Sequence, residues 1–267
     1  MANSDPIGIF DSGIGGLTVA SSIVRRLPGE SIVYLGDTAR VPYGAKSPAT
    51  VIRYARACVQ KLMAYRVKAL VVACNTASAY ALHALQHDLA IPVVGVIEPG
   101  ARRAVAVSRT GRIGVIATAG TVASGEYPAA IGDLAPEMRV LCRACPLFVP
   151  LVEEGWTEGE LPELVARAYL SDLVKDAIDT LVLGCTHYPL LRETIQRVVG
   201  PDIAIVDSAE STAEVLVQLL EVADLLRPEG EPTERTFLVT DAPDGFASVG
   251  RRFFGGEIGR VQWVDLS

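Results

Sequence analysis

Cys58, Cys74, Cys142, Cys145 and Cys185 are the five cysteines of this 267-residue chain, and two of them stand in settings suited to proton transfer. Cys74 opens the string Cys74-Asn75-Thr76-Ala77-Ser78, and Cys185 opens Cys185-Thr186-His187-Tyr188-Pro189. Each closes an apolar run and precedes small polar donors and then a helical pattern. A thiol at a helix N-terminus feels the positive end of the dipole and unpaired N–H groups, which lower its pKa from about 8.5 and raise the thiolate fraction. The neighbouring Asn, Thr and backbone N–H groups can hold a carboxylate without Lys or Arg, and neither string contains either. Taken singly, each cysteine reads equally well as a small buried residue.

Other residues with chemical potential cluster in the same kind of place. Asp11-Ser12-Gly13-Ile14-Gly15-Gly16 follows the apolar run Ile7-Phe10 and opens a helix near Leu17, so its glycines permit a tight turn with N–H groups aimed at an anion. The spacing G-x-G-G behind an Asp is not the G-x-G-x-x-G of a dinucleotide site, and the Asp would repel a pyrophosphate. His187 could activate Cys185 or position a substrate, or could be a capping or solvated histidine. Asp11 could serve Cys74 or be a turn residue. Glu153, placed near a strand end at Val149, could orient the second thiol or be a solvated loop acid. Cys142-Arg143-Ala144-Cys145 has redox or metal spacing, but no second Cys/His pair completes a zinc site, so it reads as structural. Cys58 reads as core, and His83 with His87 as a surface pair.

These residues need strands to end beneath them. Ile7-Phe10, Ile32-Leu35, Ala69-Ala73, Val93-Val96, Ile113-Ala117, Leu181-Gly184 and Ile203-Val206 are short runs that predict buried parallel strands, with crossover helices between them. The clearest helix starts at Ser47-Pro48, a cap with Pro at the first helical position, and carries Val51, Ala55, Cys58 and Leu62 on one stripe. The chain also repeats itself. Ile7-Phe10 matches Ile113-Ile116, Val41-Pro42 matches Val149-Pro150, and Leu70-Cys74 matches Leu181-Cys185, with offsets drifting from 106 to 111.

The expected fold class is therefore α/β: two pseudo-symmetric domains with mainly parallel sheets flanked by helices, and an active site in the interdomain cleft, where the carboxyl ends of the strands meet. A boundary near Val96-Arg103, and a return after Val206 through a helix near Ala209-Leu226 and strands near Thr236-Thr240 and Val261-Val264, give residues 1–97 plus 208–267 as the first domain and 98–207 as the second. Within such a duplication Cys74 and Cys185 become a matched pair. A racemase requires such a pair, one group removing a Cα proton from one face and its counterpart delivering one to the other.

Composition sets the bounds. Half the residues are hydrophobic, and 24 Lys+Arg against 31 Asp+Glu give a formal charge of -7, so no nucleic acid or anionic membrane surface is expected as partner. The start of the chain does not read as a secretory signal and no run approaches the roughly 20 apolar residues of a membrane span, which predicts a cytoplasmic protein with reduced thiols. A homodimer is compatible with the sequence.

Four strings, FDSGIGGL (Phe10-Leu17), GDTARVPYG (Gly36-Gly44), ACNTAS (Ala73-Ser78) and GCTHYPLL (Gly184-Leu191), together resemble the glutamate racemases of the aspartate/glutamate racemase superfamily. The likeness continues through ATAGTV (Ala117-Val122) and CPLFVPLVEEG (Cys145-Gly155), and so spans most of the chain to about Ser208. It implies a two-domain enzyme that interconverts L- and D-glutamate without pyridoxal phosphate or metal and makes D-glutamate for bacterial peptidoglycan. By that resemblance Cys74 takes the proton from D-glutamate with help from Asp11, and Cys185 takes it from L-glutamate with help from Glu153 and His187. Substrate binding would fall to Asp11, Ser12, Tyr43, Gly44, Asn75, Thr76, Thr118, Thr121, Thr186 and His187. A sister racemase for aspartate or a hydantoin, a noncatalytic carboxylate-binding protein and a redox protein using Cys142 and Cys145 are the alternatives.

Overall fold

A computed structural model describes residues 2–266. Ten strands form it: β1 (Ile7–Asp11), β2 (Ile32–Gly36), β3 (Ala69–Val72), β4 (Val93–Gly95), β5 (Arg112–Ala117), β6 (Arg139–Ala144), β7 (Thr180–Gly184), β8 (Ala204–Asp207), β9 (Arg235–Val239) and β10 (Val261–Trp263). Eleven α-helices accompany them among the described residues: α1 (Leu17–Arg26), α2 (Pro48–Met63), α3 (Asn75–Asp88), α4 (Ile97–Val107), α5 (Ala119–Ser124), α6 (Glu126–Leu134), α7 (Phe148–Glu153), α8 (Glu160–Lys175), α9 (Arg192–Val199), α10 (Ser208–Val222) and α11 (Pro243–Phe254).

The strands make two sheets, ordered β10-β9-β2-β1-β3-β4 and β6-β5-β7-β8, and every pairing is parallel. The order β2-β1-β3-β4 repeats as β6-β5-β7-β8, which is the duplication read from the strand-end strings. Registers repeat too: Phe10 lies opposite Val72 and Ile116 opposite Leu183, so the thiols two residues further on, after β3 and β7, emerge at matching strand ends. The segment after β8 adds β9 and β10 to the first sheet.

Burial explains why the central strands read as continuous apolar runs instead of alternating ones. Both faces of each sheet are covered, so Ile7 and Ile9 enter one core while Phe10 enters another on the opposite face. The first of these cores runs from β1, α1 and β9 through α10 to β7 and α8, joining the two sheets. A third lies under α4 and α6. Helix α2 behaves as its stripe predicts: Val51, Ala55, Cys58 and Leu62 are buried, and the Ser47 hydroxyl accepts the Thr50 N–H at 3.4 Å.

One local expectation fails, and with it the reading of its match. Val41 and Val149 end no strand: Val41-Pro42 links two short 3-10 turns across a cis peptide, and Val149 lies within α7. The strand of the second unit is β6, which ends at Ala144. Its residues are only half-buried at a sheet edge, and its sequence Arg-Val-Leu-Cys-Arg-Ala carries charge instead of a β-branched run. Among the described residues no helix is long and apolar enough to cross a membrane.

Candidate active site

The carboxyl ends of β1, β3, β5 and β7 converge on one cleft. One wall is built by Ser12, Gly13, Val41, Pro42, Tyr43, Gly44, Cys74, Asn75 and Thr76, and the other by Thr118, Val149, Glu153, Cys185, Thr186 and His187. Both thiols therefore face a common space while being almost wholly buried, each 6% exposed. Cys142 and Cys145 lie elsewhere, on and just past β6, and Cys58 is on the buried face of α2. His83 and His87 are on the outer face of α3.

The loop after β1 meets the strand end of the other unit closely. A Cβ on Gly15 would collide with the Thr186 hydroxyl and stand 2.5 Å from His187 Nδ1, so only glycine lets these segments touch. Gly44 has the same role against Thr118, whose Cβ would be 2.6 Å away. Tyr43 is tied down by a short hydrogen bond from its phenol to Asp37, a buried carboxylate that also accepts from Arg40 Nε at 2.7 and 3.0 Å and from the Thr240 hydroxyl at 3.0 Å.

Around Cys74 the geometry is that of a helix cap. Cys74 is the N-cap of α3, and its Sγ accepts the Ala77 N–H at 3.5 Å. Asp11 stands behind it, fully buried and off the cleft wall. One carboxylate oxygen accepts the Gly13 N–H at 2.9 Å and the other has no partner. Burial pushes the Asp11 carboxyl upward, against the lowering influence of His187 and of backbone N–H groups.

Cys185 stands in a different setting. No α-helix starts at it: a 3-10 turn over Tyr188–Leu191 intervenes before α9, with Pro189 in its first turn. A side-chain relay replaces the cap. Cys185 Sγ is 4.0 Å from His187 Nδ1, and His187 Nε2 is 3.0 Å from Glu153 Oε1. When Nε2–H is given to Glu153, the bare Nδ1 of a neutral ring is the acceptor facing the thiol.

Neither thiol is acidified in this cleft, which corrects the expectation from the helix dipole. Burial pushes Cys74 up to about 11, with the Asp11 charge adding, against the Ser12 hydroxyl and the Ser12 and Ala77 N–H groups. Burial raises Cys185 further still, the His187 N–H opposing and Cys74, Asp11 and Glu153 adding. Losing water costs a thiolate more than one cap and a fraction of a dipole return.

Among the sequence-named residues, Ser12, Tyr43, Gly44, Asn75, Thr76, Thr118, Glu153, Thr186 and His187 share the cleft with both cysteines; Asp11 and Thr121 do not line it. Thr121 closes a ring of hydroxyls, 3.1 Å from Thr76 and 3.0 Å from Thr118, which are themselves 2.9 Å apart. Sequence reasoning missed Gly13, Val41, Pro42 and Val149 as wall residues, although matching Val41-Pro42 with Val149-Pro150 already marked them as equivalent. It also missed α11, from which Phe253 packs edge-on against His187 at 5.2 Å and Arg252 donates to the Glu153 carbonyl at 2.8 Å. Nothing in the local string of α11 signals that contact. Among the described residues no group of three or more His, Cys, Asp or Glu could hold a metal ion.

Known proteins share this architecture. Residues 7–216 match the family model described as Asp/Glu/Hydantoin racemase. A glutamate racemase of Geobacter metallireducens is 57% identical over 260 residues, covering 97% of this chain and 96% of that protein. The crystal structure of a glutamate racemase isoform from Bacillus anthracis superposes with a TM-score of 0.95 at 43% identity, covering 99% of this chain and 98% of that one. The structure of glutamate racemase from Francisella tularensis in complex with D-glutamate matches with a TM-score of 0.93 at 40% identity, with the same coverage of 99% and 98%. With a family match across most of its length and near-complete coverage of such relatives, the chain belongs to the Asp/Glu/Hydantoin racemase family, and within it to the glutamate racemases: it is an isomerase of the amino-acid racemase class.

Proposed function

We propose that this enzyme interconverts L-glutamate and D-glutamate by a cofactor-independent two-thiol mechanism, supplying D-glutamate for peptidoglycan from the cytoplasm. The observation that carries the mechanism is the placement of Cys74 and Cys185 at corresponding strand ends on opposite walls of one cleft. The substrate follows from the high-coverage relatives, which are glutamate racemases. The cleft lies between the two halves of the duplication, which supports the division into residues 1–97 plus 208–267 and 98–207.

The step balances without an external reagent. A thiolate on one wall takes the Cα proton, the C–H electron pair is left on Cα beside the carboxylate, and the opposite thiol gives its S–H proton to the other face. Each turnover leaves the thiol–thiolate pair reversed. Cys74 acts on D-glutamate with Asp11 behind it, and Cys185 acts on L-glutamate with the His187–Glu153 relay. The thiol that acts as base gives up its proton first, and for Cys185 the facing acceptor is His187 Nδ1, 4.0 Å from its sulfur. Ser12, Asn75, Thr76, Thr118 and Thr186 supply donors for the carboxylates, with Thr121 fixing two of them.

Incubation with L-glutamate, L-aspartate or a hydantoin in deuterated water, without added cofactor, tests this. Loss of optical rotation with Cα deuteration is expected for glutamate. Exchange confined to aspartate or the hydantoin would reassign the substrate, and no exchange with any would leave only a binding protein.

A further inference from the structure

Asn75 is a cleft residue whose side-chain orientation is dictated from the opposite unit. Its amide oxygen accepts the Tyr127 O–H at 2.7 Å, and its Nδ2 is buried without a partner. Tyr127 belongs to α6 and is 1% exposed, with the Ser208 hydroxyl hydrogen-bonded to the same phenol. Gly184 leaves room for the ring: a Cβ there would stand 2.9 Å from Tyr127 Cε2. A terminal amide has an acceptor end and a donor end of almost the same shape, and only a neighbour tells them apart. With the oxygen engaged at the back, the nitrogen is the end left for the cleft that Asn75 lines.

From this we infer that Tyr127 is a positioning residue for substrate binding: its O–H holds the Asn75 oxygen so that the amide N–H groups are presented to the α-carboxylate of the substrate. The inference rests on the glutamate racemase reading. A flipped amide would present a lone pair to a carboxylate and repel it, and a buried donor without a partner costs free energy that an incoming anion recovers. Tyr127 touches no reacting atom, so its loss should weaken binding of both enantiomers and spare the proton transfers.

The Tyr127→Phe protein is expected to show a KM raised about tenfold for L- and D-glutamate alike, with kcat within about twofold of the parent. In an Asn75→Ala background the same substitution should add nothing. An unchanged KM, a fall in kcat alone, or KM effects that multiply in the double variant would overturn the inference.

A second measurement needs no substitution. The chain has two asparagines, Asn3 and Asn75, so selective ¹⁵N-Asn labelling yields two side-chain amide pairs. The Asn75 pair should shift on saturation with D-glutamate while Asn3 stays still, and should show no strong nuclear Overhauser effect to the Tyr127 ring. A strong effect to that ring, or an Asn75 pair unmoved by D-glutamate, refutes the assignment. Wild-type protein that exchanges no glutamate Cα hydrogen defeats the functional reading instead, so the two failures are distinct.

Discussion

The two thiols of the cleft occupy equivalent positions in a repeated strand order and yet are served by different chemistry. Cys74 caps α3 with its own sulfur and has the buried Asp11 carboxylate behind it. Cys185 precedes a 3-10 turn, lacks a helix cap, and faces His187 backed by Glu153. The first arrangement is assembled within one unit from backbone and a carboxylate. The second is a side-chain relay whose histidine is braced by Phe253, and whose Glu153 carbonyl is held by Arg252, both from α11 beside the first sheet. Duplication supplied matching positions; what surrounds each position diverged. A reaction that must run equally well from either enantiomer does not require mirror-image machinery, because an enzyme that equilibrates mirror images must change kcat/KM by the same factor in both directions.

The largest effect expected from disturbing this pair is removal of either sulfur. Cys74→Ala and Cys185→Ala should each lose racemisation by about 10³-fold or more, measured by circular dichroism of glutamate. Normal turnover by either variant would end the two-thiol mechanism.

Next come the supporting groups. Asp11→Asn on one side and His187→Gln on the other should each lower kcat/KM by about 10²-fold, equally for L- and D-glutamate. A loss of that size on one side alone would show that only one half of the pair needs its partner.

A subtler test addresses protonation. The Asp11 charge helps push Cys74 up to about 11, so the Asp11→Asn protein should have a lower thiol pKa. Alkylation of Cys74, followed against pH by mass spectrometry, should then reach half its maximal rate at a lower pH than in the parent. An unchanged or higher midpoint would remove Asp11 from the account of that thiol. The Cys185 profile should move less, since burial and the His187 N–H rank above Asp11 among the influences on it.

The smallest effect is expected outside the cleft. Cys142→Ala and Cys145→Ala should keep kcat/KM within about twofold, because neither sulfur reaches the cleft. Cys145 is fully buried, so its substitution should still lower Tm by a few degrees, about what a small cavity costs. A Cys142 or Cys145 variant that lost activity would reopen the redox reading.

Much of this site was legible in one dimension because parallel α/β sheets place ligands where strands end, and a strand end is a local event. Asp11-Ser12, Cys74-Asn75-Thr76, Thr118 and Cys185-Thr186-His187 all follow buried apolar runs, and their recurrence at drifting offsets marks the duplication in the sequence alone. Val149 was misplaced because a match of two residues carries position but not conformation: Val-Pro closes an irregular turn in one half and lies inside α7 in the other. Strand β6 was missed because half-exposed edge strands lack the apolar signature of buried ones.

The amino-acid sequence determined which residues follow the buried strand ends, in what order, and that they come in two sets. Only the tertiary structure decided their state. Whether a thiol is acidified depends on how much water remains around it, and that is a property of two walls closing together, not of the string that contains it. The same holds for Tyr127 turning Asn75 and for α11 bracing His187. Those contacts join residues 52 and 66 positions apart, and their geometry follows from packing between units that local sequence does not record.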